Sequence, residues 1–185
     1  MASGSNVEEH VESILMNADR RVLKTLSPLS RCIILVLRVL GSRELQPEDI
    51  EAHVESYGFK CRNMSLVLSF MEYYGLLRCN NTCKLTDAGE ELSSALREYL
   101  ESMRSLAYSV IDGTVTENDI VANLFTSLAS TLGFVDIYVE DPSLTRVYVP
   151  IHVYITGLAA LVIAQLARVS AKVYDVVKRF LEEKI

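Results

Sequence analysis

Four cysteines are the residues of this 185-residue chain best suited to covalent chemistry. Cys79 and Cys83 are separated by three residues, a spacing at which a hairpin brings two side chains close enough for a cross-strand disulfide. The default interpretation is two free thiols, because disulfides are unusual in a cytosol except in hyperthermophiles. Cys32 lies in an apolar stretch and is expected to be a small buried side chain. A zinc site is not expected, since a tetrahedral site needs four ligands and no histidine lies nearby in sequence.

The sequence contains no recognisable catalytic pattern. Its three histidines, His10, His53 and His152, are far apart, and no glycine-rich phosphate loop, Ser-His-Asp arrangement or metal-binding spacing is present. His53 is expected to be a partly exposed surface residue. We therefore expect the protein not to be an enzyme, and to need neither a cofactor nor a metal.

Composition and charge place the chain among globular proteins. It is 50% hydrophobic, which is enough to bury a core. The net charge of −6 opposes a nucleic-acid partner, because contacts with phosphates need cations. The charge is uneven, however: residues 19–90 carry ten basic and nine acidic side chains and are the least acidic part. No N-terminal secretory pattern is present, so we expect a cytoplasmic protein.

A helix, a hairpin and a second helix are predicted between residues 59 and 92. Apolar residues at helical spacing predict the first helix over about residues 62–74, and a glycine directly after it is suited to end it. Leu77–Cys79 and Cys83–Leu85 are predicted to form a hairpin, because the two asparagines between them tolerate the positive φ of a tight turn. Thr86 is then expected to cap the second helix.

Two further helices are predicted before this unit. The first spans about residues 28–40, begins with a proline where a first helical turn tolerates one, and is almost entirely apolar. The second is short and begins at Gln46-Pro47, with Glu48 and Asp49 in its first turn. After the hairpin, the helix that follows is expected to continue to about Ile111.

Two stretches of this region resemble a known family. Tyr-Gly-Leu-Leu-Arg at residues 74–78 and Lys-Leu-Thr-Asp-Ala-Gly-Glu-Glu-Leu at residues 84–92 resemble winged helix-turn-helix transcriptional regulators of the MarR and PadR kind, especially the small archaeal ones. The resemblance covers roughly Pro28 to Leu100, and its Gly-Leu-Leu and Leu-Thr-x-x-Gly elements are fairly specific for the fold. It implies a helix that enters the DNA major groove and a hairpin that lies along phosphates.

The resemblance assigns DNA-binding roles to the helix over 62–74 and to the hairpin. Arg62 is expected to bind guanine in bidentate fashion and Asn63 to bind adenine in the same way. Ser65 and Ser69 are expected to reach phosphates or base edges, and the remaining cations to hold the backbone. The predicted DNA-binding residues are Lys60, Arg62, Asn63, Ser65, Ser69, Arg78, Asn80, Asn81 and Lys84.

The same helix also carries an apolar outward row, formed by Leu66, Phe70 and Tyr73. Such a row suits packing against protein better than a DNA groove. Winged helices also serve as protein-docking modules, so the fold does not fix the partner. Our first hypothesis is a homodimeric transcriptional regulator that binds double-stranded DNA. The alternative is an adaptor in replication, transcription or cell division that docks a protein partner and does not bind DNA.

The whole chain is predicted to be mainly α-helical and to have three parts. These are an N-terminal helix (residues 1–27), a winged helix-turn-helix domain with an extended following helix (28–112), and a C-terminal region (113–185). The first helix carries an apolar stripe from Val7 to Leu26, which must pack against the C-terminal elements or against a second chain. The two terminal regions are expected to form a dimerisation region.

The C-terminal region is predicted to contain a helix capped by Thr116, then a second small β-hairpin and a long helix. Residues 134–140 and 146–149 are rich in Val, Ile and Tyr and flank a turn, as in a hairpin. The helix begins near Pro150 or Thr156 and continues to Ile185. Its apolar seam has the spacing of a heptad repeat and needs a facing helix, which predicts a two-fold dimer. The predicted dimer-interface residues are Val162, Leu166, Val169, Val173, Val176 and Phe180.

One apolar stretch of this helix raises the question of a membrane. Ile151–Ala167 contains no full charge and reaches the lower length limit of a transmembrane helix. His152, Thr156 and Gln165 dilute its hydrophobicity, and a buried helix is the prediction. Membrane attachment is the weaker alternative, and no membrane partner is expected.

Overall fold

The computed structural model describes residues 4–124 and 145–184, which are mainly helical and include a small antiparallel sheet. Strands β1 (Leu77–Cys79) and β2 (Cys83–Leu85) form the sheet. The helices are α1 (Gly4–Thr25), α2 (Pro28–Leu40), α3 (Pro47–Ser56), α4 (Met64–Tyr73), α5 (Asp87–Asp112), α6 (residues 117–124), α7 (Thr145–Val169) and α8 (Ala171–Lys184).

Helix α7 is central, in contact with α1, α2, α5 and α8. Its Tyr154 and Leu158 are fully buried. Gly157 allows α1 to approach closely, because a Cβ atom there would lie 3.2 Å from Val22 Cγ1. By length and composition alone α7 is apolar enough to cross a membrane, with a mean hydropathy of 1.9 over an 18-residue window. A core helix has the same composition, and 50% of that window is buried inside the chain.

The apolar stripe of α1 is covered within one chain. Val11, Ala18 and Leu23 are buried, and α1 packs against α5 and α7. Of the two possibilities that the sequence left open for this stripe, packing on the chain's own C-terminal elements is therefore confirmed. Residues 28–112 share one continuous core with the helices on either side of them.

Within residues 28–112 the order of elements is α2, α3, α4, the β1–β2 hairpin and α5. Eight residues of α2 are buried, as its apolar sequence predicts. Leu45, between α2 and α3, pairs with Cys83 through two backbone hydrogen bonds of 3.1 and 2.8 Å, which places a one-residue strand beside β2. The predicted hairpin is confirmed, and its register pairs Leu77 with Leu85, Arg78 with Lys84 and Cys79 with Cys83.

A close contact fixes the start of α5. Thr86 is its N-cap: the hydroxyl accepts from the Gly89 N–H at 3.3 Å and donates to the Gly75 carbonyl at 2.5 Å. Gly89 packs against the Leu76 carbonyl, and a Cβ atom at position 89 would be only 2.0 Å from the carbonyl oxygen. The Leu-Thr-x-x-Gly pattern thus has a local physical reason, because the threonine caps the helix and the glycine leaves room for the backbone beside it.

All four cysteines are in disulfides. Cys79 and Cys83 are bridged across the hairpin with a Cα–Cα distance of 4.1 Å, so the default interpretation of two free thiols is wrong. Cys32 on α2 is bridged to Cys61, just before α4, with a Cα–Cα distance of 5.9 Å. Cys32 is buried as predicted, but it is not a free thiol. The sequence separation of 29 residues gave no local signal for this pair.

Two predictions about residues 146–150 are wrong. Residues 146–149 lie in α7 and not in a strand, because burial of the helix overrides the strand preference of its β-branched residues; Val147 is fully buried. The helix begins at Thr145, so Pro150 lies inside it and leaves the Arg146 carbonyl without its usual donor. The other predicted strand, residues 134–140, lies outside the described residues.

The predicted long C-terminal helix is also interrupted. It ends at Val169, and α8 begins after Ser170, whose hydroxyl accepts from the Val173 N–H at 3.4 Å. The seam predicted to face a second chain is therefore split between two helices that pack on each other. Val169 is exposed. Four residues of the predicted seam are buried within the single chain: Val162, Leu166, Val173 and Val176. Their burial therefore does not require a second copy.

Candidate functional site

The surface formed by α3, α4 and the hairpin contains every residue predicted to bind DNA. All nine of these side chains are exposed. They lie just before α4, on α4 and along the hairpin, as the resemblance implies. Leu66 and Tyr73 of the alternative, protein-docking set are also exposed, and Phe70 is partly buried.

Helix α4 begins later than predicted, which changes the roles of two residues. Its first residue is Met64, so Arg62 precedes the helix and does not lie on its outward face. Asn63 is the N-cap with a left-handed backbone (φ 64°), and its Oδ1 accepts from the Leu66 N–H at 3.3 Å and from the Ser65 hydroxyl at 2.8 Å. A bidentate contact with adenine needs that same oxygen. The adenine contact stays a prediction, and it would require Asn63 to give up these two local hydrogen bonds.

A groove of about 490 Å³ separates α3 from α4. Its walls carry three carboxylates, from Glu48 and Glu51 on α3 and from Glu72 on α4. Among the residues that the structure describes, no lysine or arginine lines this groove, and these three carboxylates make no ion pair. The remaining lining residues are Pro47, Asn63, Met64, Ser65, Leu68, Ser69 and Cys79.

An apolar and aromatic row lies on α4 near this groove. Leu66 is 60% exposed and Tyr73 is 83% exposed. The Phe70 and Tyr74 ring centroids are 4.7 Å apart, and Tyr73 meets Tyr74 edge to face at 5.1 Å. Large apolar side chains this exposed mark an interaction surface when they form a contiguous row. Tyr74 thus contacts both aromatic side chains of the row.

The hairpin presents two cations side by side. Arg78 and Lys84 are directly opposite each other in the ladder, and both are exposed. Like charges in such a pair repel each other unless an anion lies between them. The concave surface beside them also carries Glu72, Asp87 and Glu90, so positive and negative charges alternate here.

Sequence reasoning missed the carboxylates of the groove. Glu48 and Glu51 are three residues apart and therefore lie on one face of α3, which the predicted start of that helix already implied. Glu72 follows Ser65 and Ser69 at helical spacing, so it belongs to the same outward surface. The missing signal was the position of α3 relative to α4, which sequence periodicity does not give.

Comparisons with known proteins find no match: no family model, curated protein or solved structure matches this chain. In the described part of the chain, no group of three or more histidine, cysteine or acidic side chains is placed to hold a metal ion. The function is therefore argued from the groove, the apolar row and the charges around them.

Proposed function

We propose that residues 28–112 form a winged helix and that the protein uses the outward face of α4 to dock a protein partner. The order of elements supports the first part: α2, a short strand at Leu45, α3, α4, a hairpin and α5 follow one another as in a winged helix-turn-helix. The Thr86 cap and the Gly89 contact supply the local reason for the motif on which the resemblance rests.

The exposed apolar row on α4 carries the docking proposal. A helix that enters the major groove places its outward side chains against polar base edges and between two rows of phosphates. On α4 those positions hold Leu66 and Tyr73, and Glu72 adds a negative charge. A protein partner would instead bury these side chains, and burial of one large apolar side chain contributes about 1.5–3 kcal/mol.

The groove beside the row also disfavours DNA. Lysine and arginine side chains that neutralise phosphates release condensed counterions, and this release supplies much of the affinity for DNA. Glu48 and Glu51 would instead bring carboxylates towards the backbone from α3, the helix that would lie nearest to it. These carboxylates would repel the phosphates of DNA at the centre of the interface and so weaken binding.

DNA binding remains the second candidate because of one specific observation. Arg78 and Lys84 face each other as an exposed like-charge pair, and Lys60 and Arg62 are exposed just before α4. Four cations at the edges of the α4 face would suit phosphates on either side of a groove. In this arrangement the cations would bind the backbone, and α4 would contribute little to reading the bases.

Two parallel selections on the full-length chain test the proposal. One recovers binders from a random peptide library, and the other recovers binders from a random pool of duplex DNA. We expect enriched peptides whose affinity falls about tenfold or more on Leu66→Ser or Tyr73→Ser, since each substitution removes an apolar anchor. Leu181→Ser on α8 and Tyr108→Ser on α5 are matched controls, because both residues are large, exposed and outside the α4 face.

The opposite outcome is equally clear. Recovery of a duplex sequence that binds with a steep salt dependence, and loses affinity on Arg62→Ala and Lys84→Ala, would establish the DNA candidate. Peptides that bind equally well to Leu66→Ser and Tyr73→Ser would contradict docking through α4.

A further inference from the structure

We propose that the partner segment is a basic amphipathic helix that lies along α4, an inference that rests on the docking function proposed above. Its apolar side would cover the row of Leu66, Phe70 and Tyr73, which lies beside the α3–α4 groove and does not line it, and its basic side would face the carboxylates of the groove. The argument combines the spacing of the apolar row, the unpaired carboxylates of the groove and the exposed aromatic ring at one end of the row. Together they define both the shape and the charge of the occupant.

The spacing of the row favours a helical occupant. Leu66, Phe70 and Tyr73 follow one another at intervals of four and three residues, which is the spacing of one side of a helix–helix seam. Helix α4 has ten residues and is therefore about 15 Å long. A facing helix of about three turns, with apolar residues at the same intervals, would cover the row completely.

The carboxylates of the groove favour a positively charged occupant. Glu48 and Glu51 line one wall and Glu72 the other, and no cation of the described residues pairs with them. Glu72 is held in position by the Cys79 N–H, which donates to its Oε1 at 3.2 Å. Below the carboxylates, Met64 and Leu68 are buried and form an apolar floor. Lysine or arginine side chains can lay their apolar stems on that floor and place their charge at the rim.

The exposed ring of Tyr73 adds to the same preference. An aromatic face attracts a cation within about 6 Å of its centroid, and this attraction does not depend on a carboxylate. Tyr73 meets Tyr74 edge to face and is 83% exposed, so its ring is accessible to a cationic side chain of a partner. The aromatic ring and the carboxylates thus both favour cationic side chains, and the carboxylates also repel the phosphates of a nucleic acid.

A pair of designed peptides tests this inference with the full-length chain. Both are 18-residue helix formers with leucines at intervals of four and three; one carries lysines beside the leucines and the other glutamates. Amide shifts of the ¹⁵N-labelled protein report where each peptide binds. We expect the lysine peptide to shift residues 47–51 and 63–73, and to bind at least about tenfold more tightly than the glutamate peptide.

Charge-neutralising variants separate the groove from the net charge. Glu48→Gln, Glu51→Gln and Glu72→Gln together should weaken the lysine peptide about tenfold, because three rim ion pairs are lost. The matched control is Glu8→Gln, Glu9→Gln and Glu98→Gln, which changes the net charge equally at exposed positions outside the groove. Equal binding of the two peptides, no binding of either, shifts outside the α3–α4 region, or full binding to the groove variant would each overturn the inference.

Failure of this inference and failure of the docking function give different results. If the library selection returns peptides that depend on Leu66 but are neutral or acidic, docking stands and the basic partner falls. If the peptide library returns no binder and the DNA pool returns a duplex whose binding depends on Arg62, both the docking function and the basic partner fall.

Discussion

Asp19, Arg38 and Tyr154 join three helices through a partly buried polar cluster. Arg38 Nη1 lies 3.0 Å from both carboxylate oxygens of Asp19, and the Tyr154 hydroxyl donates to Asp19 Oδ1 at 2.7 Å. The guanidinium also lies 4.9 Å from the centre of the Tyr57 ring. Burial raises the pKa of Tyr154 well above its ordinary value; Arg38 opposes this change and Asp19 adds to it. The cluster connects α1, α2 and α7 and so anchors both terminal regions on the central unit.

The Tyr154→Phe variant should lose stability at neutral pH and less of it at alkaline pH. Removing a hydrogen bond to a charged acceptor costs about 2 kcal/mol of unfolding free energy. The folded chain holds the Tyr154 proton more tightly than the unfolded chain, so this contribution is complete below about pH 10 and is lost as the pH rises further. Urea unfolding from pH 7 to 11 should show the wild type declining more steeply than Tyr154→Phe. Parallel declines would contradict the role of Tyr154.

The two disulfides should contribute unequally to stability. In the chain-entropy description, a bridge across 29 residues contributes about 3.5 kcal/mol and one across four residues about 2 kcal/mol. Cys32→Ala with Cys61→Ala should therefore lower the unfolding free energy more than Cys79→Ala with Cys83→Ala. Thiol titration of the denatured chain is the control, and it should find no reactive thiol before reduction and four after reduction. Four reactive thiols without reduction would show that neither bridge forms.

At the scale of the elements, the sequence predicted best where the signals are local. The hairpin and the α5 helix lie where predicted, and Thr86 and Gly113 set the ends of α5 through their immediate neighbours. The reason given for the hairpin turn is wrong, however, because neither Asn80 nor Asn81 adopts a positive φ. The start of α4 was misplaced because the sequence does not distinguish an N-cap at Asn63 from a first helical residue. Residues 146–149 were misassigned for a different reason: their strand preference is overridden by burial against distant helices.

Gly89→Ala should destabilise the protein, although the same change in most helices is stabilising. Alanine is favoured over glycine inside a helix by about 1 kcal/mol. Here the new Cβ atom would lie 2.0 Å from the Leu76 carbonyl oxygen, so α5 must move away from the end of the α4–β1 turn. We expect a net loss of about 2 kcal/mol or more in thermal or urea unfolding. As a control, Ala88→Gly at the neighbouring exposed position should lower the unfolding free energy by only about 1 kcal/mol. A Gly89→Ala protein as stable as the wild type would contradict the close contact between Gly89 and Leu76.

At the scale of the whole molecule, most of the α1 stripe and most of the C-terminal seam are buried inside the chain, although Val153, Val169 and Leu181 remain exposed. The sequence correctly indicated that α1 and the C-terminal seam need facing helices. It did not indicate that α1, α2, α5 and α8 pack around α7, because that arrangement depends on contacts between residues distant in sequence, more than a hundred positions apart for α1 and α2. The carboxylate groove of the candidate site was missed for the same reason, since it exists only once α3 lies beside α4.

A pair of substitutions in the former seam tests this arrangement. Leu166→Glu places a charge at a fully buried position of α7 and should prevent cooperative folding, or cost at least about 4 kcal/mol. Val169→Glu, one turn further at a position 55% exposed, should change stability by no more than about 0.5 kcal/mol. Thermal melts followed by circular dichroism measure the stability of both variants. If Leu166→Glu stays folded and only dissociates a dimer in light scattering, the seam faces a second chain after all.

The most direct test of docking through α4 is photo-crosslinking from position 73 in cells that make the protein. A photoreactive aromatic side chain in place of Tyr73 keeps the exposed ring position, and the same substitution of Tyr108 on α5 is the control. We predict a protein adduct from position 73 that resists nuclease, is absent from position 108 and is lost when Leu66→Ser is added. A nuclease-sensitive nucleic-acid adduct from position 73 that survives Leu66→Ser would contradict the proposal and favour the DNA candidate.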